Sequence, residues 1–240
     1  CLRAWIAAEG LRPLSKARLD DLLRQVRETH SDATFSFHVQ RKEIRRWGSD
    51  IIVRDAVTRR LGVERDAALS PSEGAHEIAL PQWGGVIEMV PCMGDEDGIA
   101  RSRVTAPEAK LEVRAAVGAV KLKLWALRPG KALKDLYAQA GIPAYVRVDM
   151  PKLWLNNELL FAAGLGMDVR FADDPAKYPD RVKFLWRPDR SLWDARPMPN
   201  YAELPEAERR MREERVREAA KSSIRLRESI ARERSAEKNR

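Results

Sequence analysis

Cysteine and histidine are scarce in this 240-residue chain. The residues of these two types are Cys1, Cys92, His30, His38 and His76. The cysteines form no metal-ligand or redox pattern, and no histidine stands at metal-ligand spacing from another histidine or a cysteine. The sequence therefore predicts a reduced protein without a metal site.

Long apolar runs are missing as well. No stretch approaches the run of about 18 apolar residues that a membrane-spanning helix needs. The first residues also lack the basic head and apolar segment of a secretory signal peptide. We therefore expect a cytoplasmic protein that has no membrane partner.

Phosphate-binding loops are also absent. The chain contains neither GxxxxGK[ST], nor GxGxxG after a strand, nor Ser-Gly-Gly-x-Asp-Ser. The acidic pairs Asp20-Asp21 and Asp173-Asp174 fall on a predicted helix and in a predicted loop, where carboxylates are typically exposed. The sequence predicts no catalytic residue in this chain.

Positive charge is what the chain has in excess. Lysine and arginine number 44 against 36 acidic residues, which gives a formal net charge of +8. Such a balance favours a polyanionic partner, most often a nucleic acid. A basic surface that is merely solvated stays open as the alternative.

The hydrophobic pattern predicts an α+β protein with two small domains. In the first, residues 1–62, Leu19, Leu22 and Val26 recur at helical spacing, whereas Phe35 and Phe37 alternate as in a strand. A helical hairpin followed by an antiparallel sheet is therefore expected there.

The rest of the chain is predicted in three parts. Residues 63–103 are expected to form a linker with short strands, and residues 104–193 a second domain with a mixed sheet and a short helix. Residues 194–240 combine dense arginine and glutamate with few apolar positions. This pattern predicts a charged tail, either a solvated helix or a disordered segment. A basic arm that touches RNA is the second interpretation.

Basic residues concentrate in the second domain, and they are the candidate phosphate-binding set. They are Arg114, Lys121, Lys123, Arg128, Lys131, Lys134 and Arg147. Lys131 and Lys134 are predicted in the first turn of a helix, where the helix dipole disfavours cations but free N–H groups favour phosphate. The alternative is an ordinary charged face of a half-buried sheet and helix.

A weaker basic group is predicted in the first domain. Arg45 and Arg46 lie beside Trp47 in a hairpin, and an aromatic ring among arginines can stack on an unpaired RNA base. The alternative is that Trp47 packs against the preceding helices.

Two stretches of the chain resemble bacterial tRNA(Ile)-lysidine synthase. The first, "LRAWIAAEGLRPLSKARLDDLLRQ" with the later "EIRRWGSDIIV", is similar to the substrate-binding domain of that family. The second, "RPGKALKDLYAQAGIPAYVRVDMP", resembles the family's C-terminal domain, with Gly130, Lys131, Lys134, Pro143 and Arg147 at signature positions.

The resemblance also shows departures. Ala132 and Asp135 stand where the family often has further basic residues, which thins the phosphate patch. The family's N-terminal ATP pyrophosphatase domain has no counterpart here, and the chain starts at Cys1 inside a helical pattern. We therefore expect a portion of a longer protein that is inactive alone.

The resemblance implies a role in tRNA modification. A whole enzyme of that family uses ATP and Mg²⁺ to join lysine to the wobble cytidine of the CAU anticodon of tRNA(Ile), which becomes lysidine. Here the first domain would hold the anticodon stem-loop and the second the acceptor-stem side, and no ATP or Mg²⁺ would be bound by this chain. A stand-alone basic RNA- or ribosome-binding module is the alternative, and the oligomeric state stays open, with a homodimer as one option.

Overall fold

The chain folds into two compact units with both helices and strands. The computed structural model describes residues 2–28, 35–47, 50–55, 65–115, 120–147, 150–189, 200–218 and 221. Cys1, His30 and the tail after residue 221 lie outside the described residues. One unit comprises Cys1–Arg60 with Arg212–Arg240, and the other comprises Leu61–Met211. The predicted α+β class is confirmed.

The first unit is a helical hairpin packed on a three-stranded antiparallel sheet. Its elements are α1 (Leu2–Ala8), α2 (Lys16–Glu28), β1 (Phe37–Val39), β2 (Lys42–Trp47) and β3 (Asp50–Asp55), with β2 in the middle of the sheet. Gly10 follows α1 with φ 68°, a left-handed conformation that glycine adopts without strain. The shared core consists of Ile6, Leu11, Leu19, Leu22, Phe35, Phe37, Val39 and Ile44.

The second unit contains two larger antiparallel sheets and a two-stranded ribbon. The five-stranded sheet has the order β13-β12-β11-β8-β4, the four-stranded sheet the order β5-β6-β14-β7, and β9 pairs with β10 in the ribbon. The strands are β4 (Ala67–Leu69), β5 (Glu77–Leu80), β6 (Gly85–Pro91), β7 (Ile99–Ala100), β8 (Leu111–Arg114), β9 (Lys121–Leu122), β10 (Lys131–Ala132), β11 (Lys152–Leu155), β12 (Glu158–Ala162), β13 (Gly166–Met167) and β14 (Arg181–Pro188). The helices are α3 (Arg101–Thr105), α4 (Leu133–Gln139) and α5 (Ala144–Arg147).

Both large sheets contribute to one hydrophobic core. Phe161 of β12 and Phe184 of β14 pack with their ring centroids 5.7 Å apart, and both are fully buried. Asn156 and Asn157 form the tight turn between β11 and β12 with φ of 51° and 65°. Asparagine tolerates these angles in two-residue hairpins, so the hairpin predicted at this pair is present.

The segment predicted as a linker belongs to the second unit. Ala67–Leu69 pairs with β8, while Glu77–Leu80 and Gly85–Pro91 pair with each other and extend the sheet of β14. Short strands separated by loops have little periodicity of their own, which explains the linker prediction for 63–103. A second difference is that all described strand pairs of this unit are antiparallel, whereas a mixed sheet was predicted.

Residues 200–218 of the predicted tail have defined structure. Tyr201 is completely buried, and Asn200 is buried with it. A short 3₁₀ turn covers Tyr201–Glu203, and a helix, here called α6, covers residues 206–218. Tyr201 and Leu204 therefore belong to the core of the second unit, and the apolar area that they bury holds this part of the predicted tail in place.

Candidate nucleic-acid interface

Three lysines of the second unit are exposed along the ribbon and the helix that follows it. The register of β9 and β10 places Lys121 opposite Ala132 and Lys131 opposite Leu122. Lys134 follows in the first turn of α4. Lys121, Lys131 and Lys134 form no ion pair within the part of the chain that the structure describes, so their charges are available to an anion. We call these three residues the lysine ribbon.

Only Lys134 occupies the predicted position at a helix start. Lys131 lies in β10, because its backbone pairs with β9 and α4 begins at Leu133. Its Nζ is 3.4 Å from Oε1 of Gln139, a neutral partner that leaves the charge uncompensated. The prediction that both lysines share one helical turn is therefore wrong in its local structure, although both side chains are exposed.

The loop between β9 and β10 carries an aromatic ring under two arginines. Cζ of Arg128 lies 5.1 Å and Cζ of Arg209 lies 5.5 Å from the centroid of the Trp125 ring. Tyr201 packs against Trp125 with the centroids 6.0 Å apart and the rings at 73°. Leu127, at the tip of the loop, is fully exposed. We call residues 125–128 the Trp125 loop.

Hydrogen bonds of the Lys123 backbone fix the base of this loop. The backbone N–H of Lys123 donates to Oδ2 of Asp168 (3.0 Å), and that of Val169 donates to the Lys123 carbonyl (2.8 Å). Asp168 is fully buried and also accepts from Nε of Arg170 at 2.9 Å. The carboxylate raises the pKa of Arg170 through this hydrogen bond and its charge. Lys123 is half-buried as a result, and its backbone serves to anchor the loop.

Two predicted phosphate-binding arginines of this unit are held by their own neighbours. Arg114 forms an ion pair with Glu112, donates to Oδ1 of Asn157 at 2.7 Å and lies over the Trp154 ring. Arg147 donates from Nε to the carbonyl of Ile142 at 2.8 Å and from a terminal nitrogen to that of Lys134 at 3.3 Å. The contacts of Arg147 fix the turn after α4.

The predicted pair in the first unit is also engaged internally. Arg45 forms an ion pair with Glu43 at 2.8 Å and donates to the carbonyl of Phe35. Arg46 is 9% exposed and donates to the carbonyl of Val26, which closes the end of α2 onto β2. The side chain of Trp47 lies outside the described residues. Within the described part, these two guanidinium groups support the fold of the unit.

Two cations that shape the site were not singled out from the sequence. Arg209 reaches Trp125 from α6 while it donates to the carbonyls of Ala202 (3.0 Å) and Leu204 (2.8 Å). Lys152 is 1% exposed and donates to the carbonyls of Arg147 and Met150. A lysine directly before the apolar strand "LWL" was a visible signal for a buried cation, but the dense arginines of the tail hid Arg209.

Membrane-spanning helices and clusters of metal ligands would indicate other classes of site. None of the helices that the structure describes is long and apolar enough to cross a membrane. Among the same residues, no group of three or more histidines, cysteines, aspartates or glutamates is placed to hold a metal ion.

Sequence comparison supplies the family. Residues 1–51 match the family described as the TilS substrate binding domain, and residues 111–186 match the TilS substrate C-terminal domain. The chain belongs to the TilS family. The second TilS match includes the lysine ribbon and the Trp125 loop, and the first includes Arg45 and Arg46.

Curated relatives carry the same family name in full. A tRNA(Ile)-lysidine synthase of Ralstonia nicotianae is 32% identical over 172 residues, which are 70% of this chain and 36% of the relative. Synthases of the same name from Burkholderia mallei and an Azoarcus species are 27% and 30% identical over 78% and 71% of this chain. The chain spans 43% and 34% of those two relatives, so it corresponds to less than half of their length.

Proposed function

We propose that this chain is the tRNA-binding portion of a tRNA(Ile)-lysidine synthase. The whole enzyme would be an ATP-dependent ligase that joins lysine to the wobble cytidine of the CAU anticodon of tRNA(Ile). The observation that carries the proposal is the position of the lysine ribbon, three exposed and uncompensated cations, inside the stretch that matches the TilS substrate C-terminal domain.

The exposed cations divide the candidate residues into two groups. Lys121, Lys131 and Lys134 would contact phosphate, because they have no carboxylate partner among the described residues. Arg114 would instead hold the turn between β11 and β12, and Arg147 the turn after α4. Phosphate contacts position a nucleic acid without reading its sequence, so this surface would supply affinity more than specificity.

Chemistry belongs elsewhere in the proposed whole enzyme. ATP and Mg²⁺ would activate the cytidine there. We assign no step of the reaction to this chain and expect it to be inactive alone. ATP, Mg²⁺ and lysine would bind outside the length that it shares with its relatives. We propose a cytoplasmic location, and a homodimer remains one option.

The relatives support this function over its alternative. A stand-alone RNA- or ribosome-binding module would also present exposed lysines. The relatives from three organisms are named as synthases and match 70% to 78% of this chain, which favours the synthase.

Salt dependence of binding tests the proposal. The purified chain is titrated with a tRNA(Ile) transcript that carries the CAU anticodon, at salt concentrations between about 50 and 200 mM. Replacing Lys131→Ala and Lys134→Ala together should reduce the slope of log K against log salt by about 1 to 2, because each phosphate contact releases close to one counterion.

A charge-matched variant provides the control. Lys110→Ala with Lys177→Ala removes two exposed lysines outside the lysine ribbon and should leave the slope near the wild-type value. Equal slope changes in both double variants would mean that binding responds to net charge alone. An unaltered slope in the Lys131/Lys134 variant would remove these lysines from the interface.

A further inference from the structure

The Trp125 loop presents an apolar tip beside a cation that lies over an aromatic ring. Leu127 is 100% exposed, and the N–H of Arg128 donates to the Trp125 carbonyl at 3.1 Å, which closes the turn under that tip. A single exposed leucine is unremarkable on a protein surface. Its position next to Arg128, between the two strands that carry Lys121 and Lys131, is what calls for an explanation.

Arg128 differs from the other guanidinium group on the same ring. One terminal nitrogen of Arg209 donates to two carbonyls, which hold this guanidinium in place. Arg128 is exposed, and its only recorded contact among the described side chains is with the Trp125 ring. A guanidinium that lies over an aromatic ring keeps a second planar surface, on which a nucleobase can stack.

Packing and backbone hydrogen bonds hold the residues under Arg128 in place. Leu122 and Leu124 are buried on either side of Lys123, whose backbone is tied to Asp168 and Val169. Tyr201 meets the Trp125 ring at 73°, which fixes its orientation. A stacking surface that is already ordered loses little conformational freedom when a ligand arrives.

The neighbouring charges identify the class of ligand. Lys121 and Lys131 attract a polyanion. The apolar tip and the guanidinium over the ring offer apolar and planar surface, which a nucleobase can use and a phosphate cannot. We propose that the Trp125 loop binds an unpaired nucleobase of an RNA partner, with the base stacked on Arg128 and in apolar contact with Leu127. This inference rests on the proposed tRNA-binding function.

Two RNAs that differ only in an unpaired segment test the site. One is a hairpin with four unpaired nucleotides at its 3′ end, and the other is the same hairpin with a blunt end. The wild-type chain should bind the first RNA more tightly, because stacking of one base contributes on the order of a tenfold gain in affinity. A 2-aminopurine in the unpaired segment should lose fluorescence on binding, since stacking quenches it.

Arg128→Lys is the decisive variant, because it keeps the charge and removes the planar group. We expect the preference for the unpaired RNA to fall about tenfold, the quenching to disappear and the salt slope to stay unchanged. Leu127→Ser should reduce the preference by a smaller factor. Both positions are exposed, so an unchanged urea midpoint will exclude a folding defect.

The outcomes separate this site from the general function. A wild-type chain that binds neither RNA contradicts the proposed function itself. A chain whose salt slope responds to Lys131→Ala with Lys134→Ala, but whose RNA preference ignores Arg128→Lys and Leu127→Ser, retains that function and overturns the base site. In that case the apolar tip would be a protein-contact surface.

Discussion

Replacing Asn200 with alanine should destabilise the second unit and loosen the Trp125 loop. Nδ2 of Asn200 donates to the carbonyl of Phe184 and to Oε1 of Glu203, each at 2.7 Å. The residue is 2% exposed, so water cannot readily replace the lost donor. These bonds tie the 3₁₀ turn, and with it Tyr201 and the two carbonyls that hold Arg209, to β14.

The magnitude follows from the two bonds. A lost hydrogen bond costs about 1 kcal/mol, and a buried carbonyl left without its donor costs about 1 to 3 kcal/mol more. Oδ1 of Asn200 is buried and finds no donor among the described residues, so its removal offsets part of this loss. We expect a net loss of about 2 kcal/mol, which lowers a urea midpoint by about 1 M at an m-value of about 2 kcal/mol/M.

Urea unfolding followed by tryptophan emission measures this loss, and Glu203→Gln is the control. Glutamine keeps an acceptor for Asn200 but removes the ion pair between Nζ of Lys183 and Oε2 of Glu203, which are 3.3 Å apart. The Glu203 side chain in this pair is 44% exposed. Exposed pairs of this kind contribute little, so the control should lose less than about 1 kcal/mol. A change below about 0.5 kcal/mol for Asn200→Ala, or equal losses for both variants, would refute the assignment of the turn to the core.

Two further predictions concern a buried arginine and a buried thiol. Arg46→Ala should destabilise the first unit by about 1.5 to 3 kcal/mol, because it removes a charged donor from the Val26 carbonyl. The salt slope of tRNA binding should stay constant. A lower slope with unchanged stability would instead make Arg46 an RNA contact. Burial raises the pKa of the Cys92 thiol, so the stability that it contributes is present below the usual thiol pKa and is lost as pH rises through the raised value. Cys92→Ala should therefore flatten the fall in urea midpoint between about pH 8 and 10, and an identical fall in the variant would exclude the thiol as its cause.

Helical and strand periodicity was sufficient for the first unit but only partly for the second. Leu19, Leu22 and Phe37 lie in the core that their spacing predicts. In the second unit, strands such as Ala67–Leu69 are three residues long and gain their place only from pairing with β8. Such pairing is a long-range interaction, and a window of neighbouring residues contains no record of it.

Charge type was predictable, but the use of each charge was not. The basic residues around Lys131 were predicted from composition and spacing, because both can be read from the sequence without knowledge of the fold. Arg46 and Arg147 were predicted as phosphate contacts as well, yet their donors reach carbonyls of Val26 and Ile142. Whether an arginine is available to a ligand depends on which carbonyls fold within its reach.

Net charge alone therefore overstates the surface that RNA could use. Arg101 and Arg181 are buried and donate to main-chain carbonyls of distant loops, while buried Lys152 donates to carbonyls just before it in the chain. The charge of these cations is part of the fold. Lys121, Lys134 and the other exposed cations without a carboxylate partner carry the excess that a polyanion can meet. Each phosphate contact contributes separately to the salt slope. The slope therefore reports how many exposed cations contact phosphate and is insensitive to the buried cations. A slope near 3 would match the lysine ribbon, whereas a clearly larger slope would require RNA to reach further exposed cations such as Lys110 or Lys177.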